Sequence, residues 1–64
     1  MKFKLYRINE QGLEEFLLMK SYPYIQFEQY SPVARFYPRE NSSVHECCGV
    51  FHVPAGMFAT LETE

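Results

Sequence analysis

Apolar and polar residues alternate along the first stretch of the chain. Residues 2–8, Lys-Phe-Lys-Leu-Tyr-Arg-Ile, put Phe3 and Leu5 on one side and Lys2, Lys4 and Tyr6 on the other. That period of two is the mark of a strand with one buried face. The period changes after Asn9. Leu13, Phe16, Leu17 and Lys20 fall at i, i+3, i+4 and i+7, the spacing of a helical stripe. Asn9 is a good N-cap, and Glu10 suits the positive end of a helix dipole. The spacing predicts a helix over residues 10–20, with Glu14, Glu15 and Leu18 off the stripe. Gly12 opposes it, because glycine in a helix interior costs about 1 kcal/mol relative to alanine. The competing reading makes Asn9-Glu10-Gln11-Gly12 a hairpin turn whose glycine takes a positive φ. Pro23 ends either element, since it lacks an N–H and pushes Tyr22 out of the helical region.

Beyond Pro23 the pattern is that of strands. Residues 24–30 are rich in β-formers and are broken by Ser31-Pro32. Residues 33–37 form a second short run, stopped by Pro38 and followed by a polar loop over 39–43. Residues 44–53 are a third candidate, with Gly49 as a possible bulge. Pro54-Ala55-Gly56 reads as a turn, and residues 57–61 as the last strand, with a frayed tail at about 62–64. No repeat or linker divides residues 1–64, so one small domain is expected. The expected fold class is α+β: a small, mostly antiparallel sheet of about four to five strands with one helix packed on one face.

That architecture has a consequence for the sheet faces. Ile25, Phe27, Ala34 and Phe36 point one way, and Met57, Ala59 and Leu61 oppose Phe58 and Thr60. One helix covers one face. The other would carry Tyr24, Tyr30, Tyr37, Val50 and Phe58, interspersed with Arg35 and Glu28. Tyr and Arg are enriched where proteins meet, and an apolar patch of that extent marks an interaction site. The expected partner-binding residues are Tyr24, Tyr30, Arg35, Tyr37 and Phe58, facing a protein partner or a second copy in a homodimer. The alternative is a sheet curled on itself, its tyrosines wrapping the core with their hydroxyls wet.

Composition narrows the class. Of 64 residues, 47% are hydrophobic and 17% aromatic, which excludes a disordered tail. A domain this small buries only about 60% of its unfolded surface, so each apolar residue matters. The net charge of −2 provides no long-range attraction for nucleic acid or an anionic membrane. The N-terminus lacks a signal-like apolar stretch, and the longest apolar run, Phe16-Leu17-Leu18-Met19, is far short of the ~20 residues that span a bilayer. A cytoplasmic protein with no membrane contact is expected. Cys47 and Cys48 are adjacent and too close for an unstrained disulfide, which fits reduced thiols.

Candidate chemistry is sparse. His45, Cys47, Cys48 and His52 are all zinc-ligand types, but alternation along a strand would send them to opposite faces. A Cys–His nucleophile would need a pocket that so small a domain hardly provides. No metal, cofactor or catalytic residue is therefore assigned, and the protein is not expected to be an enzyme. Two segments, residues 2–7 and 35–39, interleave basic and aromatic residues as single-stranded nucleic-acid binders do, yet the acidic balance opposes that reading. The expected function is a small non-enzymatic protein-binding module, an accessory regulator or inhibitor that covers a functional surface of a larger partner. In size and style this is like the small inhibitors carried by phages and other mobile elements. The alternatives are a single-stranded nucleic-acid binder and a zinc- or thiol-dependent protein using the His45–His52 cluster.

Overall fold

The structure, a computed structural model, describes residues 1–28 and 32–63. It is built of strands: β1 (Lys2–Ile8), β2 (Glu14–Ser21), β3 (Tyr24–Phe27), β4 (Val33–Tyr37), β5 (Gly49–His52) and β6 (Met57–Glu62). The one helical element among the described residues is a 3-10 turn at Val44–Glu46. The strands form two three-stranded antiparallel sheets, ordered β2-β1-β6 (sheet A) and β3-β4-β5 (sheet B). The expected α+β class with a packed helix is therefore corrected to an all-β, two-layer fold.

The segment expected to be a helix is the second arm of a hairpin. Asn9 makes the turn. Its side-chain Oδ1 accepts from the N–H groups of Gln11 and Leu13, each at 3.0 Å, and its carbonyl accepts from the Gly12 N–H at 2.9 Å. An Asx side chain bonding the backbone two residues on is a turn former. Gly12 has φ +79°, a region that only glycine enters freely. The competing hairpin reading of Asn9–Gly12 is thus the one the chain adopts.

The helical spacing in β2 has a specific origin. The register runs Leu5↔Leu18 and then Tyr6↔Phe16, leaving Leu17 as an extra residue. Such a bulge re-phases the alternation. Leu17 and Leu18 both pack on the core, while Phe16 on one side and Met19 on the other are exposed. The helical spacing of Leu13, Phe16, Leu17 and Lys20 thus joins the outward Phe16 to the inserted Leu17, in a strand with one extra residue.

From β2 the chain crosses at Tyr22-Pro23 to sheet B, runs β3-β4-β5, and returns through residues 53–56 to lay β6 along the other side of β1. Tyr22 and Met1 exchange backbone bonds at 2.8 and 3.0 Å, which closes the base of the β1–β2 ladder before Pro23 stops it. Gly56, at φ +84°, makes the last turn. Other sequence expectations need adjusting. Only residues 24–27 of the 24–30 run are strand, and residues 29–31 lie outside the described part. The 44–53 run divides into the 3-10 turn and β5. Gly49 is no bulge; it opens β5 in register with Phe36. Glu62 belongs to β6, and Glu64 lies outside the described residues.

The core sits between the sheets: Phe3 and Leu5 from β1 face Ile25, Ala34 and Phe36 from β3 and β4. Phe3 is fully buried. Its ring makes edge contacts with Phe27, Phe36 and Phe51, at centroid distances of 5.5, 5.6 and 5.7 Å. One side chain of sheet A thereby touches all three strands of sheet B. Removing a buried phenylalanine costs about 3–5 kcal/mol, a large part of a small domain's stability. Phe3→Ala should lower the urea midpoint severely or leave the chain unfolded. A midpoint close to wild type would mean that this ring does not join the layers.

Candidate protein-binding surface

Each sheet has one face toward the core and one toward solvent, and the two solvent faces differ. On sheet B the outward positions are Tyr24 and Gln26 of β3, Val33, Arg35 and Tyr37 of β4, and Val50 and His52 of β5. Gln26, Arg35 and His52 are exposed and polar, and the one large apolar side chain standing well into water is Val50. That face is mixed and solvated.

Sheet A is different. Cross-strand register places Phe16, Tyr6 and Phe58 in one row across all three strands. Tyr6 stacks on Phe58 at 5.3 Å and meets Phe16 edge-on at 5.8 Å. Ile8 and Met19 flank this row along the strands, and Leu13 stands at the hairpin end. Ile8, Leu13, Phe16 and Met19 are 52%, 60%, 55% and 49% exposed. Among the described residues these four exposed large apolar side chains gather on the β1–β2 hairpin, while Val44 in the 3-10 turn and Val50 on sheet B stand apart from them.

Charges of both signs bound the patch. Glu14 pairs in register with Ile8 at one end, and Lys2 and Glu62 pair at the other. Lys4 Nζ lies 2.9 Å from Glu62 Oε1 and ties β6 to β1. That hydrogen bond, reinforced by charge attraction, holds Glu62 below the usual carboxylate range and raises Lys4. Elsewhere Arg7 Nη2 pairs with Glu15 at 3.0 Å. Arg39 pairs with Glu46 and holds that carboxyl low, aided by the Ser43 backbone N–H.

The residues singled out from the sequence are divided by this architecture. Phe58 lies in the aromatic row of sheet A. Tyr24 and Arg35 lie on the opposite side of the molecule, on sheet B. Tyr37 is only 3% exposed, with its ring 5.5 Å from Tyr24 and its hydroxyl 3.4 Å from Gln26 Oε1. Tyr30 lies outside the described residues. Tyr6, Phe16, Met19 and Ile8 were missed, because the helical reading placed Phe16 on a buried stripe. The signal that could have found them was the hairpin reading of Asn9–Gly12, which sets a second strand beside the Tyr6 side of residues 2–8.

The other constellations do not converge. His45 stands in the 3-10 turn, Cys47 and Cys48 follow it, and His52 ends β5. The Cys47 thiol donates to the Gly49 carbonyl at 3.2 Å, and the Cys48 thiol lies 3.8 Å from the Glu46 carbonyl. Among the described residues no group of three or more His, Cys, Asp or Glu side chains could hold a metal ion. Of the two basic-aromatic segments, Phe3 and Phe36 are committed to the core. No described helix is long and apolar enough to cross a membrane. Comparison of the chain with protein-family models, curated proteins and solved structures finds no match.

The Lys4–Glu62 pair gives a pH test. A carboxyl with a depressed folded pKa contributes stability above its unfolded pKa of about 4.3, and loses it as pH falls through the folded value. The raised pKa of Lys4 works in reverse: its contribution is present below about pH 10.4 and lost as pH rises through the folded value. Glu62→Gln should therefore lower the Tm modestly at neutral pH, and by progressively less as pH falls and Glu62 takes up its proton in the folded state. Equal Tm values for the two chains at neutral pH would show that the pair contributes nothing.

Proposed function

We propose that the chain is a non-enzymatic protein-binding module whose working surface is the solvent face of sheet A. The observation that carries this reading is the row Phe16–Tyr6–Phe58, extended by Ile8 and Met19 on the same face. Apolar burial is the main driving force of protein association, and aromatic anchors supply much of its energy. The strands hold the rings in fixed register, so little ordering entropy is lost on docking. The fitting partner is a protein with an apolar patch, carrying a cation to meet Glu14 and an anion to meet Lys2. Such a module acts by mass action, covering a surface that its partner uses, as an accessory regulator or inhibitor does.

Nucleic acid suits this face less well. The cation nearest the rings, Lys4, is held by Glu62, and the chain carries a net charge of −2. Counterion release would make such binding fall steeply with salt.

The test compares face variants in nuclease-treated lysate of the source cells or their host. Phe16→Ser with Met19→Ser should weaken capture of a specific protein at least about tenfold, the loss expected from a pair of interface anchors. Val50→Ser on the opposite sheet should capture that protein normally. Equal capture by the Phe16/Met19 variant would remove the sheet A face from the function. Loss of all capture on nuclease treatment would replace the protein partner with nucleic acid.

A further inference from the structure

The edges of sheet A are unequally protected. An edge strand exposes unpaired N–H and C=O groups, and proteins blunt such edges with bulges, proline or inward-pointing lysine. On β2 two of these devices are present. The Leu17 bulge interrupts its run, and Lys20 turns inward, its ammonium 5.6 Å from the Phe36 ring centroid. Its counterpart β6, Met-Phe-Ala-Thr-Leu-Glu, contains no proline, lysine or bulge.

The backbone of β6 can be phased from bonds at the other side of the sheet. Met1 and Tyr22 exchange both backbone bonds, and the Asn9 N–H donates to the Leu13 carbonyl at 2.9 Å. Antiparallel pairing alternates strictly along a strand. Phe3, Leu5 and Arg7 therefore direct their amides toward β2, and Lys2, Lys4 and Tyr6 toward β6. Their partners Glu62, Thr60 and Phe58 face β1. It follows that the N–H and C=O groups of Ala59 and Leu61, and the carbonyl of Met57, face outward. The Met57 N–H already donates to Pro54, at 3.1 Å, as this phase requires. Among the described residues no strand other than β1 pairs with β6. Beside the edge, Phe27, Ala59, Thr60 and Leu61 line an open depression.

We propose that the chain pairs with a second copy of itself through this edge, antiparallel, with Ala59 opposite Ala59 of the partner subunit. In that register Ala59 exchanges both backbone bonds with its counterpart, and each Leu61 N–H donates to the partner's Met57 carbonyl. On the core side Met57 lies beside the partner's Leu61, and on the solvent side Phe58 lies beside the partner's Thr60. No like charges oppose, because Glu62 falls opposite the partner's Gly56. The register centred on Thr60 has the same amide phase but sets Phe58 against the partner's Glu62. A two-fold pairing closes. It consumes both unguarded edges and leaves a six-stranded sheet ending in the two guarded β2 strands. It also places two copies of the aromatic row on one continuous surface. The pairing does not depend on the function proposed for that surface.

The test is sedimentation velocity of the full chain from about 10 µM to about 1 mM, the range in which a weak pairing shows. Wild type should shift from one chain mass to two. Ala59→Pro removes an N–H that faces away from β1, so the fold should survive while dimerisation weakens at least about tenfold. If Ala59→Pro fails to fold by circular dichroism, the chemically synthesised chain with an N-methyl group on Ala59 makes the same test. One chain mass throughout the wild-type range would overturn the proposal. So would a dimer that survives the change at Ala59, or one abolished by Phe16→Ser but not by that change.

Discussion

Phe3 is the contact on which the two layers depend. Two three-stranded sheets have little area to offer each other, and each leaves its apolar face in water until the other covers it. A ring near the start of β1 reaches β3, β4 and β5 at once through Phe27, Phe36 and Phe51. Everything else is arranged to keep β1 central. The Asn9–Gly12 turn brings β2 back along one side, and the return through Gly56 lays β6 along the other. With neighbours on both sides, β1 has no free edge, and its inner side chains stand at the middle of the core.

With both inner faces committed to this core, the outer faces become the available surfaces. On sheet B the outward positions are mainly polar or, as with Tyr37, absorbed into the fold. On sheet A they are aromatic and aliphatic. Strand register makes this a patch: the same pairing that sets Leu5 against Leu18 and Ala59 inside sets Tyr6 against Phe16 and Phe58 outside. A one-residue slip would exchange the two sets. The bulge at Leu17 keeps both hydrophobic populations, one inside and one outside, on a single short strand.

The unequal edges add a second level of organisation. Inward lysine and a bulge on β2 cost packing and ladder bonds, and they protect against open-ended association. Their absence on β6 fits an edge that is occupied when the protein works. The proposed edge pairing and the proposed use of the aromatic face are compatible, because one uses backbone groups in the sheet plane and the other side chains perpendicular to it.

Much was determined by the sequence alone, where local pattern and chain direction suffice. Alternation through most of residues 2–8 and the short run at 33–37 located β1 and β4, and the inward sides of β3, β4 and β6 were legible from the same period of two. Proline and glycine marked the turns. Two things were decided by tertiary structure. One was the choice between helix and hairpin over residues 10–20, where the spacing of Leu13, Phe16, Leu17 and Lys20 satisfies a helical stripe as well as a bulged strand. Pairing with β1 resolves it, because only a strand there gives β1 a second neighbour. The other was the division of strands between two sheets. Alternation says which residues share a side of one strand, but not which strands share a sheet. Phe58 and Tyr24 were therefore grouped on one surface by the sequence, although the fold places them on opposite faces of the molecule.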